Sequence, residues 1–435
     1  LIKRLRDAGY AVLTLDQRGH GESGGQIEAL NPEKEGHDMS QALDWVETNA
    51  EWIRYEHSDA IGNTNLVLGT YGSSYGGGFQ HTILSWDDKQ RLDAMVPDIT
   101  WHHLTYSFAP NLVLKTAWVT LLEAGGNAAG SGGNNADWID QAFLEATTTN
   151  NVSQELIDNY FDKYGMNNYC ALNRPYQIDA LYTQGFPDVL FNLNESYKNY
   201  QCVSALGGDV RLFTHQSGHI LPGLQTGGAY ACGDLNYSDA VFAWFEEKLM
   251  HKTGTADYLP EFCLSLADDD SEHLRSVQVG AIYDESHTFT VPNFVGGNAG
   301  PGAGNTPPTV VELGTADGST MLAGIPEITV DMEIPTIGGD ALGDPRVFIG
   351  IGIQKGGTGD WLLIDDQVMP FRGYEADQDQ LVGVAERLEA GDKYGLLFYA
   401  WEQFFAGSAS RDSEPAVDIN ITVELPIIPD PSVTQ

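Results

Sequence analysis

The sequence predicts an α/β domain built on a parallel sheet, followed by an all-β domain of jelly-roll or sandwich type. Up to about residue 252, short apolar runs alternate with longer segments whose apolar residues recur at helical spacing, which is typical of a parallel sheet covered by helices. From residue 253 helix signals become rare, and short β-rich runs alternate with clusters of Gly, Pro, Asn and Asp. We therefore predict two domains, at residues 1–252 and 253–435.

The composition limits the classes of function. The chain has 435 residues and a formal net charge of -39, so nucleic acid and anionic membrane surfaces are not expected as partners. No apolar run approaches the roughly 20 residues of a membrane span. The oligomeric state cannot be read from the sequence.

Four cysteines indicate the redox setting of the chain. None belongs to a Cys-x-x-Cys pair or lies near His at metal-ligand spacing. An even number is compatible with two disulfides in an oxidising compartment, which favours an extracytoplasmic location, and also with buried free thiols. The three possible pairings stay open among Cys170, Cys202, Cys232 and Cys263.

The first elements alternate between helix and strand. We predict a helix over Leu1–Ala8, a buried strand over Tyr10–Leu15 and a helix over Gly36–Trp52. The loop Asp16–Gly25 reads Asp-x-Arg-Gly-x-Gly-x-Ser, and we interpret its Asp and Arg as residues that hold the loop. His20 in this loop is interpreted as structural, because it precedes the candidate nucleophile described next.

The stretch Asn65–Gln80 carries the strongest motif. An apolar run leads into Gly72-Ser73-Ser74-Tyr75-Gly76, which is the Gly-x-Ser-x-Gly pattern of a nucleophile on a sharp strand-to-helix turn. Such a turn strains the serine backbone and requires small neighbours, which Gly72 and Gly76 supply. The following helix points its N-terminus at Ser74, where the helix dipole favours a developing anion.

A helical segment follows the next predicted strand, Arg91–Val96. Residues from about 103 to 176 show several helical runs and few strand signals, so we predict a helical cap over the site. Trp101, Tyr106 and Phe108 stand close to the strand end and are candidates for a substrate pocket. Ordinary core packing is an equally good explanation for each of these aromatic residues taken singly.

Two further residues follow strand ends in the order of a catalytic triad. Asp188 comes after the predicted strand Ile178–Thr183 in a Gly/Pro turn, where an orienting acid belongs. His219 comes after the last predicted strand of the domain and is preferred over His215, which lies closer to that strand. The chain order Ser74, Asp188, His219 is that of α/β-hydrolases. We expect neither a metal nor a cofactor, because no His-Glu-x-x-His pattern or Cys/His cluster is present.

Taken together, these motifs resemble the cocaine-esterase/X-prolyl dipeptidyl-peptidase-like (CocE/NonD) hydrolases. The matching pieces are Asp16–Gly25, Tyr71–Gly77, Val96-Pro97 with Thr100-Trp101, Gly185–Asp188 with Phe191–Glu195, and Gly218-His219. The resemblance implies an α/β-hydrolase fold with a helical cap and a C-terminal β domain. It covers essentially the whole chain from mid-fold onward, so we expect the hydrolase fold to be N-terminally incomplete.

The resemblance also implies roles for individual residues. Ser74 would be the nucleophile, Asp188 the orienting acid, His219 the general base, and the backbone N–H of Tyr75 one oxyanion donor. Family members take a second donor from a tyrosine hydroxyl upstream of the first helix here, so the complete oxyanion site is expected to need residues outside this sequence.

The expected activity is hydrolysis of a small ester, amide or peptide substrate through an acyl-enzyme intermediate. An X-Pro-type dipeptidyl aminopeptidase is the alternative within this class, although no single carboxylate stands out for holding a substrate amine. A non-catalytic binding protein with a vestigial hydrolase domain is the alternative from another class. Retention of all three triad residue types in order speaks against it.

Overall fold

The computed structural model describes residues 1–51, 53–57, 64–128, 135–219, 228–267, 271–274, 277, 279, 288–296, 308–333, 344–373, 377–408 and 417–430. The strands before residue 275 are β1 (Tyr55–His57), β2 (Thr64–Leu66), β3 (Gly69–Ser73), β4 (Ala94–Asp98), β5 (Asp179–Gly185), β6 (Val210–His215), β7 (Ala231–Cys232), β8 (Leu235–Asn236), β9 (Phe262–Ser265) and β10 (Ser271–Leu274). The helices are α1 (Ile2–Asp7), α2 (His37–Asn49), α3 (Tyr75–Trp86), α4 (Leu104–Phe108), α5 (Thr116–Ala128), α6 (Asp137–Thr149), α7 (Gln154–Leu156), α8 (Met166–Ala171), α9 (Leu193–Ser204) and α10 (Tyr237–Lys248).

A six-stranded sheet forms the centre of the first part, in the order β10-β9-β6-β5-β4-β3. Strands β3, β4, β5, β6 and β9 pair in parallel, and β10 pairs antiparallel to β9 at one edge. All five residues of β4 are buried, as expected for a parallel sheet covered on both faces. Because the strands run in parallel, the carboxyl ends of β3, β4, β5 and β6 meet at one edge of the sheet.

Both faces of this sheet carry apolar cores. On one face, α1 and α10 pack on β4, β5 and β6, with Trp244 fully buried among them. On the other face, α3 and α9 pack together with the helices inserted between β4 and β5. These inserted helices, α4 to α8, form the predicted helical segment.

The expected strand Tyr10–Leu15 is wrong. These residues adopt no regular structure, and Val12, Leu13 and Leu15 are exposed by 36%, 54% and 41%. An apolar run shows only that a segment is suited to burial; a strand also requires a hydrogen-bonding neighbour. Within the described part of the chain, no strand pairs with this segment.

The second part consists of antiparallel sheets, which confirms the predicted change of fold class. Its strands are β11 (Thr288–Gly296), β12 (Thr309–Thr315), β13 (Thr320–Gly324), β14 (Glu327–Glu333), β15 (Arg346–Gln354), β16 (Leu362–Leu363), β17 (Met369–Arg372), β18 (Asp377–Gln380), β19 (Val384–Arg387), β20 (Lys393–Tyr399), β21 (Val417–Glu424) and β22 (Ile427–Pro429). They form sheets of four, five and three strands. Side chains from β14, β15 and β21 share one core, which is the arrangement of a sandwich.

The first sheet extends beyond the predicted boundary at residue 252, since β9 and β10 lie at its edge. Among the described residues, the first strand of the second part's antiparallel sheets is β11, which begins at Thr288. The largest apolar core contains residues of both parts, including Phe348 and Phe405 of the second part. The division at 252 itself stays a prediction.

The four cysteines form two disulfides, Cys170–Cys202 and Cys232–Cys263. The first joins α8 to α9, and the second joins β7 to β9. Topology therefore selects one of the three pairings that the sequence leaves open. None of the helices among the described residues is long and apolar enough to cross a membrane.

Candidate active site

Ser74 lies on the turn between β3 and α3, at the carboxyl edge of the sheet. Its backbone angles are φ 56° and ψ -119°, a region that costs a non-glycine residue energy and persists only when the surroundings hold it. Its N–H donates to the Asp98 carbonyl at 2.9 Å, and its carbonyl accepts from the Thr100 hydroxyl at 2.9 Å. The segment after β4 therefore holds the strained turn in place.

The two glycines of the motif contribute unequally to this turn. A Cβ added at Gly72 would lie 2.8 Å from the Gly76 carbonyl oxygen, so a side chain cannot fit there. A Cβ at Gly76 would meet nothing within 4 Å. The expectation that both positions need a small residue for space therefore holds for Gly72 and is wrong for Gly76.

The structure brings the three predicted site residues together. His219 Nε2 lies 2.8 Å from Ser74 Oγ, and His219 Nδ1 lies 2.7 Å from Asp188 Oδ2. The residues are separated by 145 and 31 positions along the chain, and the parallel sheet brings their loops to the same edge. This order of contacts places a hydroxyl, an imidazole and a carboxylate in hydrogen-bonding series.

Asp188 is fully buried, and its carboxylate oxygens accept a hydrogen bond in each of their described contacts. Oδ1 accepts the backbone N–H groups of Leu190 and Phe191 at 2.9 and 2.8 Å. Oδ2 accepts the backbone N–H of His219 at 2.9 Å as well as the imidazole. This donor set fixes which carboxylate oxygen faces the imidazole.

Burial lowers the pKa of His219, but the charge of Asp188 and its hydrogen bond outweigh burial, so that the pKa lies above its ordinary value. Asp98 acts in the same direction, and Lys115 in the opposite one. The ring is enclosed by Trp118 and Phe191, each in edge contact at 5.8 and 5.1 Å between centroids. The structure thus holds the imidazole in one orientation.

The three predicted pocket residues occupy different places. The ring of Trp101 packs against Tyr75 at 6.1 Å and Phe191 at 5.4 Å, so it lies one ring away from His219. Phe108 also contacts Phe191, at 6.3 Å. Tyr106 instead packs against the core of the β-sandwich, and its hydroxyl accepts from the Asn192 amide at 3.1 Å.

Tyr75 begins α3 directly after the nucleophile position. No hydrogen bond among the described residues occupies its backbone N–H, so this donor is available at the helix N-terminus. Its hydroxyl accepts from the Leu30 N–H at 3.1 Å and donates to Glu35 Oε1 at 3.2 Å. The side chain therefore anchors the start of α3.

Two buried side chains support the loop of Asp188 from outside the sheet. Lys115, which precedes α5, donates to the carbonyls of Val189 and Leu190, both at 3.0 Å. Gln367 of the β-sandwich donates to the carbonyls of Phe186 and Asp188 at 2.7 and 2.9 Å. We call Lys115 and Gln367 the loop supports.

Several residues that contact His219 or the loop of Asp188 cannot be found from sequence motifs. Trp118 and the two loop supports follow no motif. Phe191 lies inside a motif that carries the resemblance, but its contact with His219 has no signal in the sequence. Among the described residues, no group of three His, Cys, Asp or Glu side chains is arranged to hold a metal ion.

The model of the X-Pro dipeptidyl-peptidase (S15 family) matches residues 3–221, which is half of the chain. The chain belongs to this family. The match spans all three residues of the hydrogen-bonded series. A search of the curated proteins gives no match.

Solved structures share the fold of this S15-family chain. A CocE/NonD family hydrolase from Staphylococcus aureus aligns with a TM-score of 0.61 at 12% identity, covering 95% of this chain and 79% of that one. An alpha-amino acid ester hydrolase aligns at 0.57 and 14% identity, covering 94% and 84%. An aminopeptidase from a marine sediment Thaumarchaeota archaeon aligns at 0.56 and 11% identity, with the same coverages. At these identities the likeness shows the fold alone.

The family and the fold agree with the resemblance drawn from the sequence. The predicted α/β-hydrolase architecture with a helical insertion and a C-terminal β domain is confirmed. This S15-family chain is a hydrolase of the serine esterase or peptidase class, which sets aside the non-catalytic alternative. Members of this class act on small ester or peptide substrates.

Proposed function

We propose that the protein hydrolyses ester or amide bonds through an acyl-enzyme formed on Ser74. The observation that carries this proposal is the series of hydrogen bonds from Ser74 Oγ through His219 to Asp188, with distances of 2.8 and 2.7 Å. A hydroxyl in contact with a neutral imidazole, itself oriented by a buried carboxylate, is the arrangement that activates a serine nucleophile.

The first half-reaction transfers the acyl group to the enzyme. Ser74 Oγ attacks the substrate carbonyl carbon while its proton moves to His219 Nε2. The carbonyl oxygen becomes an oxyanion that the Tyr75 N–H stabilises, aided by the N-terminus of α3. When the intermediate collapses, the bond to the leaving alcohol or amine breaks, and the leaving group takes the proton from His219.

The second half-reaction returns the enzyme to its starting state. Water loses a proton to His219 Nε2 and attacks the acyl carbon, and the Ser74 ester bond breaks as Oγ regains the proton. Throughout both steps Asp188 stabilises the imidazolium and holds Nδ1 protonated.

A fluorophosphonate probe tests the nucleophile, because it reacts covalently with activated serines. The wild type should be labelled and Ser74→Ala should not. The matched control is Ser85→Ala, which removes a buried hydroxyl without any described partner from the same helix and should be labelled like the wild type. Equal labelling of Ser74→Ala would contradict the proposal.

A second candidate within the class is an X-Pro-type dipeptidyl aminopeptidase. The match of residues 3–221 to the X-Pro dipeptidyl-peptidase family model favours it. Rates on p-nitrophenyl acyl esters should be compared with rates on X-Pro p-nitroanilides carrying a free or an acetylated amine. Preference for the free-amine X-Pro substrate supports the peptidase, whereas turnover of the acyl esters alone supports the esterase.

A further inference from the structure

A buried carboxylate outside the hydrogen-bonded series lies at the centre of the sheet edge. Asp98 ends β4 and is 1% exposed. Its Oδ2 accepts from the Ser73 hydroxyl at 2.6 Å, and its Oδ1 accepts from the Thr183 hydroxyl at 2.8 Å and from His215 Nε2 at 3.1 Å. These partners belong to β3, β5 and β6, so the side chain at the end of β4 contacts the ends of three other strands of the sheet.

The contacts of Asp98 reach the proposed nucleophile through its neighbour. Ser73 directly precedes Ser74, whose own N–H donates to the Asp98 carbonyl. Side chain and backbone of Asp98 therefore hold two consecutive residues of the turn. Because Ser74 has strained backbone angles, these buried hydrogen bonds determine where its Oγ lies.

The contacts also reach the loop of the proposed base. His215 Nδ1 accepts the Ser217 N–H at 3.2 Å, and a backbone N–H can only donate. His215 Nδ1 is thus unprotonated, and the proton on Nε2 is the one donated to Asp98. The ring packs against Tyr230 and Tyr237 at 4.6 and 5.6 Å, which fixes its orientation. Ser217 lies two residues before His219.

We propose that Asp98 is a positioning residue of the hydrolytic site, acting on Ser74 through Ser73 and on His219 through His215 and Ser217. This inference rests on the proposed function, and it gives Asp98, a second carboxylate besides Asp188, a positioning role in the site. Asp98 sets the distance between the nucleophile and the base from inside the sheet, whereas Asp188 orients the base from the loop.

The charge of Asp98 adds an effect that a merely structural residue would not have. Three charged groups act on His219: Asp188 and Asp98, which raise its pKa, and Lys115, which lowers it. Replacing the Asp98 carboxylate by an amide removes one of the two negative charges that raise this pKa. The pKa of His219 should therefore fall.

Asp98→Asn is the test, with Asp87→Asn as the matched control. Asp87 is also a buried carboxylate, but it pairs with Arg91 at the C-terminal end of α3. At 1.5 Å per residue, this end of the helix lies roughly 18 Å from the N-terminal end next to Ser74. The first measurement is the pH profile of kcat/KM on a p-nitrophenyl ester. The second is the titration of His219, followed by nitrogen-15 NMR of labelled histidine, with the His219 signal assigned by its loss in His219→Gln. The second measurement does not depend on turnover.

In Asp98→Asn the plateau of kcat/KM should fall by about 10- to 100-fold, as expected when reacting groups lose their alignment. The acid limb and the NMR titration of His219 should both move to lower pH. Asp87→Asn should change neither. An Asp98→Asn protein with the plateau and titration of the control would overturn the inference.

Ser73→Ala and Thr183→Val keep the test decisive if Asp98→Asn does not fold. Each removes one hydroxyl partner and keeps the charge, so the plateau should fall several-fold while the acid limb stays in place. Full activity in both variants would overturn the inference. Failure of the proposed function is a different result, in which Ser74→Ala retains labelling.

Discussion

The carboxyl group of Glu35 gives a prediction whose magnitude follows from the structure. Glu35 lies beneath Tyr75 and is 1% exposed. Its Oε1 accepts from the Glu28 N–H at 2.7 Å and from the Tyr75 hydroxyl at 3.2 Å, whereas Oε2 has no hydrogen-bond partner among the described residues. Burial raises the pKa of Glu35 from 4.5 to about 7.

The raised pKa of Glu35 makes the free energy of unfolding depend on pH. An unfolded chain loses this proton near pH 4.5, whereas the folded protein keeps it to about pH 7. The folded state binds more protons between these values, so the free energy of unfolding decreases as the pH rises through this window. At about 1.4 kcal/mol per pH unit, the difference of about 2.5 units amounts to roughly 3.5 kcal/mol.

Glu35→Gln should remove this decrease. The amide keeps an acceptor for Tyr75 and stays neutral at every pH, so no charge has to be buried above pH 7. We expect the variant and the wild type to be similar near pH 5, and the variant to be more stable at pH 8 by up to roughly 3.5 kcal/mol. Raised carboxyl pKa values of Glu402 and Asp365 are common to both proteins and cancel in the comparison.

Urea unfolding followed by tryptophan fluorescence at pH 5, 6, 7 and 8 measures the effect. Glu155→Gln, on an exposed position of α7, is the matched control and should behave like the wild type at each pH. The reasoning is refuted if the difference between Glu35→Gln and the wild type is the same at pH 5 and pH 8, or if it grows toward acid.

Three further predictions concern the loop of the acid and the disulfides. Asp188→Asn should lower kcat by about 10⁴, since the amide favours the wrong tautomer of His219; a loss below tenfold in steady-state hydrolysis would contradict this. Gln367→Ala leaves two buried carbonyls without donors, at about 1–3 kcal/mol each, and should lower both the urea midpoint and kcat; unchanged values would show that this contact is dispensable. Replacing Cys170 and Cys202 by Ser should destabilise the protein by about 3–4 kcal/mol, the loop-entropy value for a separation of 32 residues; an unchanged Tm under calorimetry would contradict it.

Local signals made parts of the site predictable from the sequence. The turn at Ser74 needs only its own glycines and flanking elements, so the motif contains the information. Asp188 and His219 were predicted because each follows a strand end, and a parallel sheet brings such ends to one edge. Their geometry then depends on Gly185 and Gly218, where a Cβ would collide with Ser217 or with Asp188 itself.

Other features required the tertiary structure. Asp98 stands at the end of a buried strand, and the sequence does not tell which hydroxyls or imidazole will meet it from β3, β5 and β6. The segment Tyr10–Leu15 has the composition of a strand, but pairing depends on a neighbour elsewhere in the chain. Strands of four or five residues, such as β13 and β19, give too few alternations for the sequence to separate them from loops.

The loop supports have a consequence for how this chain can be divided. Lys115 belongs to the helical insertion and Gln367 to the β-sandwich, yet both hold carbonyls of the same short loop. The largest apolar core likewise draws on both parts of the chain. Cutting the chain between its α/β and all-β parts would expose that core and remove the Gln367 donor from the carbonyls of Phe186 and Asp188. The two parts look modular along the sequence, but because they share an apolar core and a supported loop, we expect them to unfold together rather than as independent domains.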